Sequence, residues 1–206
     1  VSDLSELARL GSATVYEAAG REGIVDAPLH RIVPGSRAAG PARTVLCGQD
    51  DNLMVHAAMA SVEPGDVLVL AMPDPAPVAL VGDLLATQAR AHGAAAILVD
   101  GAVRDVDELV ELGLPVWSRY VRIRGARKDV VGAIDEPVTV GGQVIEPGDV
   151  VVLDGDGAAV VPQARVHEVL AAALQREQRE ADKRAKLQSG ALSYDLDGLR
   201  ARVERS

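Results

Sequence analysis

Phenylalanine is absent from this chain, and aromatic residues of all kinds make up only 2% of it. A core must come from the Val, Leu, Ile and Ala that dominate a 48% hydrophobic content. Branched aliphatics in that quantity suit a sheet-containing fold. Cysteine is nearly absent as well. Cys47 stands alone, which excludes an internal disulfide and any Cys-based zinc motif. With no base partner evident in the sequence, it reads as a buried structural thiol. Positive charge is in deficit. A formal net charge of −9 argues against nucleic acid, whose phosphates need a concentrated basic face. No apolar run approaches the ~18 residues of a membrane span. "VSDLSELARL" is acidic and amphipathic, unlike a secretory leader. The expectation is a cytoplasmic protein with neither nucleic acid nor membrane as partner. The motifs GxGxxG after a strand, GxxxxGK[ST], GxSxG and HExxH are all missing, and with them the chemistries they carry. His30, His56, His92 and His167 share no metal-ligand spacing.

What is present alternates. Residues 3–20 have helical spacing, broken at Gly11, with Ser2 or Asp3 and then Ser12 as caps. "ARTVLCG" reads as a strand and "NLMVHAAMASV" as a helix started by Asp51 or Asn52. Val67 to Met72 is a continuous apolar run, the mark of a strand buried on both faces. A short strand in "PVALVG", a helix in "DLLATQARAHG", a buried strand in "AAAILVDG", a helix in "DVDELVELG" and a strand in "LPVWSRYVRI" follow. This order predicts an α/β layer arrangement. "PVTVGGQVIEPGDVVVLDGDGAAVVP" then reads as an antiparallel meander turning on Gly141-Gly142. "EPGDV" occurs at 63–67 and 146–150 as reused turn chemistry, since the flanks do not repeat. Residues 163–186 read as a helix, mostly charged in its second half, with a polar tail from Ser193. No linker divides the chain, which predicts one domain over 1–206 with 163–206 as a C-terminal helical arm.

Two junctions between a strand and a helix carry the candidate chemistry. In open α/β sheets, ligands collect at the carboxyl ends of strands. In "VGDLLATQ", the unpaired helix N-terminal amides of Gly82, Asp83, Leu84 and Leu85 can face an anion. Asp83 can equally be a plain helix cap. In "VDGAVRDVDEL", Arg104 and Asp105 arrive side by side. Asp105 can be a first-turn acid stabilised by the helix dipole by roughly 0.3–1 kcal/mol, and Arg104 a surface arginine. If the two strands are neighbours, amides, guanidinium and carboxylates converge on one place. A small anion with a divalent ion would satisfy them all. The oxygen-only donors favour Mg²⁺ or Mn²⁺, with Asp105 and Asp83 near the ion and Asp100, Asp107 and Glu108 behind them. "DGDG" at 154–157 lacks the rest of a calcium loop and reads as a turn.

"GDLLATQARAHGAAAILVDGAVRDVDEL" resembles the signature of the RraA-like family, which includes the class II 4-hydroxy-4-methyl-2-oxoglutarate / 4-carboxy-4-hydroxy-2-oxoadipate aldolases. That pattern is an acid, twenty residues, Arg-Asp, and an acid shortly after; here Asp83, Arg104-Asp105 and Asp107 or Glu108 fill it. "PGSRAAGPARTV", "DNLMVHAAM", "EPGDVLVL" and the Gly141-Gly142 section extend the likeness over about residues 10–165. The resemblance implies a compact layered sandwich of β-sheets flanked by helices, of the swivelling phosphohistidine-domain type. It implies trimers, often paired as hexamers, with sites at subunit boundaries. It implies retro-aldol cleavage of a 4-hydroxy-2-oxo diacid to pyruvate and a second 2-oxo acid, with oxaloacetate decarboxylation alongside. Asp105 would then bind the metal, and Arg104 would contact the 2-oxo group. The backbone from Gly82 to Leu85 would hold the carboxylate, and Asp83 would position a water for proton transfer. Glu177 or Glu180 of a neighbouring subunit would be the candidate for assisting the metal's waters.

The chain departs from the family at "MPDPAPVA" (72–79) and at the basic stretch 119–137, both of which bear on the pocket. The alternative function within the family is a regulator that binds a ribonuclease. Retention of Asp83 with the Arg104-Asp105 pair favours the enzyme. The label of menaquinone methyltransferase, attached to some such sequences, would require a glycine-rich cofactor loop that is missing here.

Overall fold

The computed structural model describes residues 2–204. Helices α1 (Asp3–Leu10) and α2 (Ser12–Ala18) open the chain and part at Gly11, whose φ of 85° only a residue without Cβ adopts freely. Ser2 caps α1 by accepting from Ser5 N. Ser12 does not cap α2, contrary to expectation. It is the first helical residue, and its hydroxyl and N–H both donate to the buried Asp154 carboxylate, at 2.6 and 3.0 Å. A tertiary carboxylate replaces the local cap, and "DGDG" is the turn that presents it.

The central strands are β1 (His30–Arg31), β2 (Ala38–Leu46), β3 (Val67–Ala71), β4 (Ala79–Val81), β5 (Ala96–Val103) and β6 (Val116–Val121). Helices α3 (Leu53–Ala58), α4 (Asp83–Ala91) and α5 (Val106–Leu112) lie between them in sequence. β2, β3, β5 and β6 are parallel neighbours in that order, and β4 adds in parallel to the last residues of β5. β3 and β5 are buried along their whole length, β3 as an unbroken apolar run and β5 with Asp100 in its middle. β2 starts four residues before the strand expected from "ARTVLCG", because it serves two partners. Its first half is the antiparallel neighbour of β10 (Val150–Leu153), and its second half the parallel neighbour of β3.

The expected meander is corrected to two separate hairpins. β8 (Val138–Val140) and β9 (Gln143–Ile145) pair across Gly141-Gly142, both at positive φ. β10 pairs with β11 (Ala158–Val161) and crosses to β2 rather than to β9. The second Pro-Gly-Asp turn directs that crossing. Gly148 N donates to Ala42 O, and Ala42 N to Asp149 O, so the turn is sewn to β2. Asp149 Oδ2 accepts Glu146 N at 3.0 Å, and Asp66 Oδ2 accepts Glu63 N at 2.9 Å in the first copy. The repeated pentapeptide is one turn used twice, each time launching a strand beside β2. β7 (Ala133–Ile134) pairs with the end of β2, completing a nine-stranded sheet ordered β1-β6-β5-β3-β2-β10-β11.

Strand alternation then builds the layers. Val67, Val69, Leu98, Val151, Leu153 and Val160 point into a core closed by the β8–β9 hairpin and Trp117. Trp117 is fully buried, and its indole N–H donates to Asp154 O at 2.8 Å. Leu68, Leu70, Ile97 and Val99 face outward under α3, α4 and α5. Val150, Val152, Ala159 and Val161 face α1, α2 and α6 (Val166–Gln188). Helices outside and sheet surfaces facing one another inside make the mixed α/β layered sandwich expected. Beyond Ala173, α6 is mostly exposed, and α7 (Ser193–Leu196) and α8 (Arg200–Val203) follow it. Among the described residues no helix is long and apolar enough to cross a membrane.

Candidate active site

The condition set by the sequence is met, since β4 and β5 are neighbours. Val81 pairs with Val103, and Arg104 N donates to Val81 O at 3.1 Å. The two strands therefore end together, and α4 and α5 begin together.

Neither junction is an ordinary cap. Gly82, not Asp83, occupies the N-cap position of α4, so the cap residue itself has no side chain to close that helix. Asp105 occupies the N-cap position of α5 without using its carboxylate to cap. Its backbone is left-handed, at φ 58° and ψ 47°, a conformation non-glycine residues seldom take but Asp tolerates. The side chain turns instead to the neighbouring junction. Oδ2 accepts Asp83 N at 3.2 Å and stands 3.5 Å from Arg104 Nε. One of the four expected anion-facing amides, that of Asp83, is thus already engaged. Those of Leu84 and Leu85 remain in the first turn, where helix geometry supplies no partner.

Gly82 is where backbone and side chains come closest. A Cβ there would overlap Asp105 Oδ2 and meet Arg104 Nε at 3.2 Å. Both are side-chain ends that can move, so Gly82→Ala should fold normally and displace the pair. The expected outcome is a melting temperature within a few degrees of wild type and activity at least about tenfold lower. Thermal melts run beside turnover measurements check it. Equal loss of both would show that the glycine serves only the fold.

Gly82, Asp83, Leu84, Leu85 and Arg104 line one cleft of 210 Å³. Asp105 lines the adjoining one, of 590 Å³, with Val121, Arg122 and Ile123. Arg104 is common to both, half exposed between them. Asp107 and Glu108 lie exposed on the first turn of α5. Asp100 does not stand behind this group, contrary to expectation. It is buried at an irregularity in β5 and paired with Arg119 Nε at 2.6 Å. Glu177 is held by both terminal nitrogens of Arg9, at 2.6 and 2.8 Å, and Glu180 by Arg176 at 2.9 Å. His92 closes the C-terminal end of α4. Burial pushes the Cys47 thiol up to about 12, with Asp51 adding to the effect, so it is no nucleophile at neutral pH.

Residues not counted among the site candidates complete the cleft, three of them from the basic stretch expected to bear on the pocket. Asn52 comes from the N-cap and His56 from the last turn of α3, and Gly125, Ala126 and Lys128 from the basic stretch 119–137. Asn52 Nδ2 donates to Leu80 O at 2.9 Å, while its buried Oδ1 has no partner among the described residues. Partial desolvation and the nearby Lys128 lower the His56 imidazole below its ordinary value. A Cβ on Gly125 would stand 2.9 Å from Arg104 Nη1, so that backbone backs the guanidinium closely. The one available signal was the excess of Arg and Lys in a segment otherwise without pattern.

As a metal site the group is sparse. Among the described residues no three His, Cys, Asp or Glu side chains are placed to hold an ion together. Asp105, with Asp83 beside it, offers oxygen donors only. That set does not fit zinc. It fits Mg²⁺ or Mn²⁺, which keep most of their waters and need one or two carboxylates.

An α/β protein with a polar, partly cationic cleft at the carboxyl ends of its parallel strands is the class these features define. The chain belongs to the RraA-like family, whose model, described as Aldolase/RraA, matches residues 3–160. It is 36% identical over 166 residues to a Halalkalibacterium halodurans protein provisionally named a 4-hydroxy-4-methyl-2-oxoglutarate aldolase, covering 81% of this chain and 77% of that one. A solved structure of an uncharacterised protein from Pseudomonas syringae superposes with a TM-score of 0.83 at 29% identity, covering 92% of this chain and 90% of the other. Streptomyces coelicolor RraAS2, described as an unusual member of the RNase ES inhibitor RraA family, superposes at 0.79 with 34% identity, covering 88% and 95%.

Proposed function

We propose that this protein is a divalent-metal-dependent class II aldolase that cleaves 4-hydroxy-2-oxo diacids of the 4-hydroxy-4-methyl-2-oxoglutarate type and also decarboxylates oxaloacetate. The observation that carries this reading is the pairing of Val81 with Val103, which puts Arg104 and the amide end of α4 on one small cleft. The name of the H. halodurans relative points the same way.

Both reactions break a carbon–carbon bond and leave its electron pair on a pyruvate enolate. In cleavage, the 4-hydroxyl gives up its proton and its carbon becomes the carbonyl of the second 2-oxo acid. In decarboxylation, the lost carboxylate leaves as CO₂. A proton delivered to the enolate carbon then yields pyruvate. The first-turn amides of α4 would receive the substrate's 1-carboxylate. The Arg104 guanidinium would face the 2-oxo oxygen, where negative charge grows as the bond breaks. Asp83 would hold the water that carries the proton. Lys128, in the wall of the same cleft, would attract the second carboxylate of a diacid. Asp105 would hold Mg²⁺ or Mn²⁺, which when bound supplies Lewis acidity toward the same oxygen.

We place this activity in the cytoplasm, in a homotrimer or a dimer of trimers. Val121 and the almost fully exposed Ile123 flank the Asp105 cleft with apolar surface that a neighbouring subunit would cover. The second reading, a ribonuclease-binding regulator, rests on the description of the S. coelicolor neighbour. The deciding experiment offers purified protein oxaloacetate or 4-hydroxy-4-methyl-2-oxoglutarate, with Mg²⁺ or with EDTA, and follows pyruvate. Metal-dependent release from either supports the lyase. No release from both, with binding to a ribonuclease, selects the regulator.

A further inference from the structure

Residues 122–131 are almost all exposed, yet they supply Gly125, Ala126 and Lys128 to the cleft. An exposed segment with little apolar burial is held by whatever few bonds fix it. On one side, Ala79 N donates to Arg124 O at 2.7 Å. On the other, Arg127 N donates to Asp50 O at 2.9 Å, and Asn52 N to Arg127 O at 2.8 Å. Between those bonds lies Asp51, wholly buried. Its Oδ1 accepts Leu53 N at 2.8 Å, and its Oδ2 accepts Asp129 N at 2.6 Å and Val130 N at 3.2 Å.

We infer that Asp51 is a positioning residue, whose buried carboxylate latches residues 124–130 across the cleft and so sets where Lys128 stands. The inference rests on the proposed lyase reading for what Lys128 meets, though not for the latch itself. Starting α3 explains only Oδ1. A neutral Ser or Asn accepts one such N–H without burying a charge. The second oxygen is committed to two amides nearly eighty residues further along the chain. Burial alone would raise this carboxyl, but the three amides and the nearby Arg127 outweigh it and hold it below the ordinary carboxylate range. The negative charge is therefore stabilised largely by the loop it fastens, through the amides of residues 129 and 130 and the nearby Arg127.

Asp51→Ser separates the two roles, because a serine hydroxyl still accepts Leu53 N but is too short for residues 129 and 130. Asp51→Asn, which keeps the volume and gives up one acceptor, serves as the milder variant should the first fold poorly. Arg124, Arg127 and Lys128 make the segment a natural trypsin target. Tryptic cleavage after Arg127 or Lys128, in protein still folded by circular dichroism, should be about tenfold faster in Asp51→Ser and intermediate in Asp51→Asn. The KM for oxaloacetate should rise about tenfold with kcat changed less than about threefold, and the rise should nearly vanish in a Lys128→Ala background. Unchanged proteolysis overturns the latch. A KM effect that adds in full to that of Lys128→Ala overturns the positioning role. If the wild-type protein releases no pyruvate, the lyase reading falls by itself, and the cleavage pattern still decides the latch.

Discussion

Replacing Arg104 with Ala should lower kcat for oxaloacetate about 10²–10³-fold and leave the fold intact. The two halves of that expectation come from different facts. The side chain is half exposed, and its contact with Asp105 Oδ2 is 3.5 Å long, so its removal costs the folded state little. Its position is what cannot be replaced. The guanidinium leaves the end of β5, is backed by Gly125, and is shared between both clefts. A donor backed there by Gly125 would face the enolate oxygen as charge appears on it, and in other enzymes losing one such donor costs about 2.7–4 kcal/mol. Arg104→Lys should recover only part of the loss, because an ammonium on a flexible stem lacks the planar fork. Steady-state kinetics with circular dichroism on the same samples measures both. Near-normal turnover in Arg104→Ala removes the residue from the reaction. Collapse of the fold would mean that its contact with Asp105 matters more than its exposure suggests.

The parallel half of the fold was legible because its signals are local. β3 and the first half of β5 are unbroken apolar runs, and the helices that flank β5 in sequence stop at Gly93 and Gly113. The strand–helix junctions were legible for the same reason. Twenty residues from Asp83 to Arg104 are one helix and one strand, and adjacent parallel strands bring both ends of that unit to the same edge. What escaped was held together by backbone. β10 crosses to β2 through main-chain bonds around Gly148 and Ala42, which no side-chain pattern announces. Asn52, His56 and Lys128 meet because residues 124–131 dock on residues 50–53 through amides and one buried carboxylate. Asp51 looked like a helix cap. Its second oxygen, the one that matters for the cleft, has a partner too far along the chain for spacing to show. Ser12 misled in the opposite sense, since a good cap residue was drawn into the helix by Asp154.

Asp105→Asn should raise the Mg²⁺ or Mn²⁺ concentration that half-saturates activity at least about tenfold, with kcat at saturating metal reduced far less. The substitution is unusually clean at this position. Asparagine enters the left-handed region at least as readily as aspartate, so the backbone at φ 58° is retained. The amide oxygen can still accept Asp83 N, now 3.2 Å from Oδ2, so the α4 junction keeps its bond. What disappears is the negative charge, which a hard cation needs and which a neutral oxygen replaces poorly. Asp83→Asn makes the contrast, since in the proposed reading its carboxylate would hold a water rather than the ion. It should lower kcat without moving the metal requirement. A readout free of turnover comes from the melting temperature as Mg²⁺ is titrated, because an ion that binds only the folded state stabilises it by mass action. Wild type and Asp83→Asn should rise together with added metal, and Asp105→Asn should lag. If all three rise alike, the ion is held elsewhere, and Asp105 serves only to tie the two helix starts together.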